Sequence, residues 1–259
     1  MTIYNKIGEG YNATRKADPY IAKRLYTLLS TKPGGLYLDI GCGTGNYLKA
    51  LSDMGLNLYG VDPSEIMLNE ARSKDINAVL MHANAESIPL PDAFFDGAVA
   101  ILTIHHWTDI LKGLQEVNRV LKKGSKLVFF SYTPEQMRGY WLYHYFPRMI
   151  ERSLQTIPDA VTMEKLLHDS GFKLLQTEKY FVREDLQDHF LYSNKHSPER
   201  YLSAEIRNNI SSFSIHSDPE ELKNGLLALE EDIRSEAIQS MISNYENDLG
   251  DYLFLIAEK

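Results

Sequence analysis

The 259-residue chain sets 27 lysines and arginines against 35 aspartates and glutamates, a formal net charge of −8 that disfavours a nucleic-acid partner, whose binding needs basic side chains to displace counterions. Its 44% hydrophobic and 24% charged residues are those of a globular chain long enough to bury a core, and its one cysteine, Cys42, excludes an internal disulfide and any four-cysteine metal site. No apolar run approaches the ~20 residues of a membrane helix, and Met1–Tyr11 lacks the basic-then-apolar layout of a signal peptide, so the expected setting is cytoplasmic with no membrane partner.

The first thirty residues read as one or two helices. Asp18 before Pro19 is an N-cap followed by proline at the first helical position, and Ile21, Leu25, Leu28 and Leu29 recur at helical spacing. Tyr4, Tyr11 and Arg15 precede them, either anchoring a helical lid or folding over a ligand. From Leu36 strands and helices alternate. Strands are expected at Leu36–Ile40, Asn57–Val61, Ala78–His82, Phe95–Ile104 and Lys126–Ser131, the fourth apolar enough to be buried on both faces. Helices lie between them, the last capped by Thr108 and ended by Gly124. This rhythm predicts an α/β doubly wound sheet that binds its ligands at the carboxyl ends of the strands. Asp39, Asp62, Asn84-Ala85-Glu86 and Thr103–Trp107 all fall at such ends.

Beyond Ser131 the rhythm breaks. Thr133-Pro134-Glu135-Gln136 is a capping-box start for helices reaching about residue 157. Within them, Tyr140–Phe146 packs five aromatics into seven positions, readable as core or as the aromatic wall of a substrate pocket. Thr162 opens a further helix that stops at Gly171, and Phe172–Val182 reads as a strand. Residues 183–246 read as a long helical stretch with start signals at Ser197-Pro198 and Asp218-Pro219, Glu221 completing a capping box. Leu222, Leu226, Leu229, Ile233 and Ala237 mark its apolar face, and Tyr252–Ala257 reads as a last strand.

The stretch Tyr37–Asn46 carries the most chemistry. A buried strand ends in an acid, Asp39, and Gly41, Gly43 and Gly45 then alternate before a helix. Such a turn lets a ligand lie against main-chain N–H groups. A dinucleotide pyrophosphate wants G-x-G-x-x-G, whereas the pattern here is G-x-G-x-G beside a carboxylate, which suits an ammonium or a sulfonium. A P-loop is excluded because Asn46 and Tyr47, not Lys and Ser or Thr, follow the last glycine. Asp62, at the end of the second strand, fits a ribose-diol acceptor.

Four ordered motifs, Leu38-Asp-Ile-Gly-Cys-Gly-Thr-Gly-Asn46, Val61-Asp-Pro-Ser-Glu-Ile-Met67, Asn84-Ala-Glu-Ser-Ile-Pro-Leu90 and Phe95-Asp…Leu102-Thr-Ile-His-His-Trp107, together resemble the class I S-adenosylmethionine-dependent methyltransferases, in their small-molecule and quinone-type branch. The likeness covers roughly residues 1–133. It implies a Rossmann-like, mostly parallel seven-stranded sheet whose antiparallel last strand is inserted between two others, with helical lid insertions. The expected organisation is one domain: an N-terminal lid over 1–30, a cofactor-binding core over 31–133, substrate-cap insertions over 134–160 and 183–246, and closing strands within 161–182 and 247–259.

The resemblance also implies a cofactor, S-adenosylmethionine, with S-adenosylhomocysteine as product. Gly41, Cys42, Gly43 and Gly45 would lie along its methionine and ribose half, with Asp39 on the amino group and Asp62 on the ribose hydroxyls. Pro63, Ser64 and Met67 would flank the adenine side and Asn84, Ala85 and Glu86 would meet its ring, Asn84 standing where the family commonly has Asp. Tyr11 and Arg15 would cover the cofactor, Arg15 pairing with its carboxylate, and Thr103 would close the pocket. His105 and His106 are the candidates for proton transfer, and no metal ligand set accompanies them. The expected partner is a small-molecule methyl acceptor, aromatic or apolar, with a homodimer as a further expectation. The readings set against this are a nucleic-acid methyltransferase, an NAD-dependent enzyme and a non-catalytic S-adenosylmethionine-binding protein.

Overall fold

The computed structural model describes residues 15–259; Tyr4 and Tyr11 lie outside them. Seven strands form one sheet: β1 (Leu36–Ile40), β2 (Asn57–Asp62), β3 (Ala78–His82), β4 (Phe95–Ile101), β5 (Leu121–Ser131), β6 (Lys173–Tyr180) and β7 (Tyr252–Glu258). Their order is β3-β2-β1-β4-β5-β7-β6, and β7 runs antiparallel to both of its neighbours. The fold is therefore Rossmann-like, with the last strand inserted as expected. The order reverses between β1 and β4, so the carboxyl ends of β1, β2 and β4 open onto one crevice.

Helix α1 (Pro19–Leu28) starts where the cap predicts, Asp18 accepting from the N–H groups of Tyr20 and Ile21. Helices α2 (Asn46–Asp53) and α3 (Glu65–Arg72) follow β1 and β2, and α4 (Ile110–Val120) joins β4 to β5. Alternation along β4 sends Val99 into the core layer shared with α1 and α2, and Ala98 and Ala100 into the layer shared with α4. That explains why the strand reads as a continuous apolar run.

Two local expectations at α4 are corrected. Its N-cap is Asp109, which accepts from Lys112 N–H, while Thr108 donates its hydroxyl to Glu86. Its C-terminus is Val120 rather than Gly124, because the carbonyls of Arg119 and Val120 are taken by the N–H groups of Ala93 and Phe94 and Leu121 pairs with Phe95. Gly124, at φ 75°, instead lies within β5, where the pairing with β4 is irregular between Leu121 and Lys126.

After β5 come three short helices, α5 (Pro134–Arg138), α6 (Leu142–Tyr145) and α7 (Pro147–Leu154), then α8 (Ala160–Asp169). The predicted capping box at Thr133 and Gln136 is present. The aromatic run is core: Tyr140, Trp141, Leu142, Tyr145 and Phe146 are buried, Tyr140 stacks on Tyr192 at 3.9 Å, and Trp141 donates from Nε1 to the Lys195 carbonyl. An acceptor preference drawn from that run therefore loses its basis.

Residues 183–197 are not helical. The chain turns through them, reaches a 3-10 helix at Pro198–Leu202, and continues in α9 (Ala204–Asn208), α10 (Ser211–His216), α11 (Pro219–Arg234) and α12 (Ile238–Asn244). Glu221 departs from its expected local role, since its carboxylate accepts from the N–H groups of Arg148 and Met149 and so caps α7. Ala237 is exposed beyond the end of α11.

Candidate active site

The β1–α2 turn is built by three glycines with left-handed backbone, Gly41 at φ 70°, Gly43 at 54° and Gly45 at 76°. Their missing side chains have different reasons. A Cβ on Gly41 would lie 2.0 Å from Thr103 Oγ1, so the end of β4 presses directly on the turn. A Cβ on Gly45 would meet Ile76 at 2.7 Å. A Cβ on Gly43 would meet none of the described residues within 4 Å. Protein packing thus requires the first and last glycines, while the middle one faces open space, as a turn that receives a ligand should.

This contrast is testable. Gly41→Ala should lose about 2–5 kcal/mol of stability, adding overpacking to left-handed strain, whereas Gly43→Ala should lose only the strain, about 1–2 kcal/mol. Urea unfolding of both variants measures the difference. Equal losses would mean that Thr103 does not brace the turn.

Asp62 holds the turn in shape: Oδ2 accepts from Gly43 N–H at 2.9 Å and Oδ1 from Ser64 N–H at 2.8 Å. Each carboxylate oxygen keeps a further lone pair for another donor. Ser64 Oγ caps α3 by accepting from Met67 N–H, Met67 is buried, and Pro63 is exposed and accepts from His82 Nε2. Cys42 packs its sulfur against Gly60, and burial pushes its thiol well above the usual range, so it is a packing residue.

Asp39 differs from every other acid in the turn. It is 2% exposed, and among the described residues nothing donates a hydrogen bond to it. Burial, followed by the nearby Asp62 carboxylate, raises its pKa to about 7. A buried carboxylate without partners is expensive unless a ligand supplies the positive charge or the donors. With Gly41, Gly43, Thr44, Arg15 and Asp188 it borders a cavity of about 70 Å³.

Arg15 lies at that cavity with its guanidinium already engaged. Nε donates to Asp188 Oδ1 at 2.5 Å and Nη2 to Oδ2 at 3.3 Å, and Tyr47 donates its hydroxyl to Oδ2 at 3.1 Å. Asp188, 1% exposed, lies in the non-helical segment and gave no signal in the sequence. Asn46 ties the Arg15 carbonyl to α2 at 2.8 Å, and Lys74 donates to both Asn46 and the Thr44 carbonyl. Glu86 is a support: its Oε1 accepts from Thr108 N–H, Thr108 Oγ1 and Asp109 N–H, fixing the start of α4. Asn84 beside it is exposed and Ala85 buried.

This geometry sits on a chain with clear relatives. The family profile described as a methyltransferase domain matches residues 38–129. An uncharacterized methyltransferase of Geobacillus sp. (strain WCH70) is 31% identical over 189 residues, which is 68% of this chain and 87% of that one. The chain belongs to the class I S-adenosylmethionine-dependent methyltransferases. A crystal structure of a candidate methyltransferase from an antibiotic biosynthesis pathway of Anabaena variabilis aligns with the enzyme over 95% of its length and 99% of the other chain, at 30% identity and a TM-score of 0.83. The ubiquinone/menaquinone biosynthesis C-methyltransferase of Vibrio parahaemolyticus is 28% identical over 58% of this chain and 68% of its own.

Further from the glycine turn, the methyltransferase holds a second chamber of about 260 Å³ where His105, His106, Trp107, Tyr132 and His216 converge with hydroxyls from Ser211 and Ser212. A smaller cavity of about 50 Å³ links it inward, sharing His105, Tyr132, Ser211 and Ser212 with the chamber and Arg15 with the cavity at the glycine turn. The rings of His105 and His106 are 3.8 Å apart. Burial first, then His216 and Arg15, hold His106 down at about 4, and burial together with His106 pushes His105 well below the imidazole range. His106 keeps accessible surface because it borders the chamber although protein surrounds it. Both rings are thus neutral at pH 7. Tyr132, His216 and the α10 serines escaped the sequence reading because no motif surrounds them. Among the described residues no group of His, Cys, Asp or Glu has a metal-binding arrangement, and no helix is long and apolar enough to cross a membrane.

Proposed function

We propose that this methyltransferase carries the methyl group of S-adenosylmethionine to a small organic acceptor held in the chamber beneath the 183–246 insertion. The observation that carries the reading is the run of adjoining cavities: Arg15 borders the one at the glycine turn and the one that opens to His105 and Tyr132. The cofactor fits the residues present. Among the described residues nothing fills the space at Gly43 against the backbone, and none of them gives the buried Asp39 a cationic partner. On this reading Asp39 takes the ammonium group, the free lone pairs of Asp62 take the ribose hydroxyls, and the Gly41–Gly45 backbone lies along the methionine and ribose. Ser64, Met67 and the Asn84-Ala85 segment shape the adenine side. When bound, the cofactor supplies a methyl on a sulfonium whose thioether leaves readily.

The chain's own work is then positioning and exclusion of water. The chamber is lined by the imidazoles of His105, His106 and His216 and by hydroxyls of Ser153, Thr156, Ser211 and Ser212, with Trp107, Tyr132 and Ile215 as its apolar part. That lining favours an acceptor whose polar, hydroxyl-type nucleophile lies among the imidazoles and hydroxyls and whose aromatic or apolar part meets Trp107, Tyr132 and Ile215. An imidazole titrating near 4 accepts a hydrogen bond at pH 7 but is a weak base. We therefore assign His105 and His106 to orienting the acceptor's donor rather than to full proton removal. The 183–246 insertion, through Ser211, Ser212, Ile215 and His216, acts as the acceptor cap.

Calorimetry tests the cofactor assignment. S-adenosylhomocysteine should bind the wild-type enzyme and NAD should not. Asp62→Ala should lose about 1–3 kcal/mol of that affinity, since it strands donors on the cofactor and frees the Gly43 N–H. Tighter binding of NAD, or an Asp62→Ala variant with unchanged affinity, would overturn the reading.

A further inference from the structure

On the other side of the chamber wall lies an apolar cavity of about 280 Å³, between α8 and the β5–β7–β6 half of the sheet. Ile104, Phe129, Ile157, Val161, Met163 and Leu253 supply its surface, and Glu164 is the one charged residue bordering it. The cavity opens to solvent beside Val161, which is 78% exposed, and apolar surface left open in this way marks a place that receives a ligand. For scale, an engineered apolar cavity of ~150 Å³ takes up a benzene ring.

The wall between this cavity and the histidine chamber is thin at three places. Ile104 faces the cavity while His105, the next residue, faces the chamber. Ile157 faces the cavity while Thr156, its neighbour, faces the chamber. Tyr132 borders both and packs against the core layers on both sides of the sheet. Its ring is 5.7 Å from that of His105, and its hydroxyl has no hydrogen-bond partner among the described residues. Main chain divides the two compartments at the first two places, and at Tyr132 a side chain alone separates the apolar compartment from the polar one.

We infer that the acceptor is an amphiphile, with its reactive polar head beside His105 and Tyr132 and an uncharged hydrocarbon tail lying past Tyr132 in the apolar cavity. The inference rests on the acceptor site proposed above and extends it to the chemical class of the substrate. An uncharged tail follows from the lining, since among the described residues a basic group would meet only Glu164 at the rim and an acidic group would meet no cation. The head also gives the Tyr132 hydroxyl a function, because an acceptor atom on it would take the bond this hydroxyl lacks among the described residues.

The test is a chain-length series of 4-alkylphenols, from phenol through 4-butylphenol to 4-octylphenol, titrated into the full chain saturated with S-adenosylhomocysteine. Each methylene buried should tighten binding about threefold to fourfold. Ala160→Trp and Thr177→Trp, which fill the cavity from α8 and from β6, should flatten that slope while leaving phenol itself bound. Both positions are exposed at the mouth and away from the cofactor residues, so the folds should hold. A flat slope in the wild-type enzyme, or an equal slope in the filled variants, would overturn the tail assignment. S-adenosylhomocysteine affinity, measured on the same samples, reports separately on the methyltransferase site.

Discussion

Asp39→Asn will raise the melting temperature of the ligand-free enzyme at pH 8 and weaken its binding of S-adenosylmethionine. The carboxyl titrates near 7 in the folded protein, chiefly through burial and secondarily through Asp62, against about 4 in an unfolded chain. Below pH 4 both states hold the proton and folding is unaffected. Between pH 4 and 7 the folded state retains a proton that the unfolded state has released, so stability falls as pH rises. Above pH 7 the loss is complete. Three pH units correspond to a cost on the order of 4 kcal/mol, which the neutral amide removes, less what its own unpaired donors return.

Thermal melts should therefore coincide for the two proteins near pH 4 and separate progressively up to pH 8. Cofactor binding should show the reverse dependence. Wild-type affinity should strengthen as pH rises through 7, because the cation needs the ionised carboxylate, and the Asp39→Asn enzyme should lack that dependence. Identical melts at pH 8 would mean that Asp39 has a partner in solution. A stabilised variant with full affinity would remove it from the cofactor site.

Asp188→Ala should lose about 3–5 kcal/mol of stability, because it leaves a largely buried guanidinium and the Tyr47 hydroxyl without their carboxylate. Urea unfolding measures the loss. The side chains of Arg15 and Asp188 are 16% and 2% exposed, so solvent repays little of it. Replacing both partners, as Arg15→Met with Asp188→Leu, should recover most of the stability by exchanging a desolvated pair for apolar packing. Cofactor affinity should remain low in that double variant. Such a split would identify the pair as part of the binding wall, whereas recovery of both properties would make it structural only.

How far the sequence could be read follows from where periodicity exists. Residues 36–131 alternate strand and helix, and Asp39 and Asp62 fall at strand ends where the pattern puts them, while β4 stops at Ile101, short of the expected Ile104, and leaves Thr103 just beyond it. The left-handed backbone of Gly41, Gly43 and Gly45 was likewise legible, because only glycine takes it cheaply. Glu86 was harder: its place at a strand end is visible, but its bonds to Thr108 and Asp109 come from a segment well downstream. Residues 183–197 defeat the reading altogether. They have neither a helical nor a strand period, so Asp188 looks like one more surface acid until the fold sets it against Arg15 and Tyr47. The aromatic run at 140–146 failed for the opposite reason, since pocket walls and cores use the same residues.

The position of β7 has a consequence for the order in which this enzyme can be built. β1 to β5 find one another as they emerge during synthesis, each new strand having a neighbour already made. β6 does not, because its partner is β7, and residues 181–251 must be made before β7 exists. On the ribosome the β1–β5 half can thus assemble early while β6 and the segments that roof the histidine chamber wait together. When Tyr252–Glu258 arrives, it pairs with β5 on one side and β6 on the other, joining both halves in one step. A nascent chain carrying the glycine turn and Asp62 should therefore exist before one in which Asp188 closes the cavity beside them and α10 closes the histidine chamber.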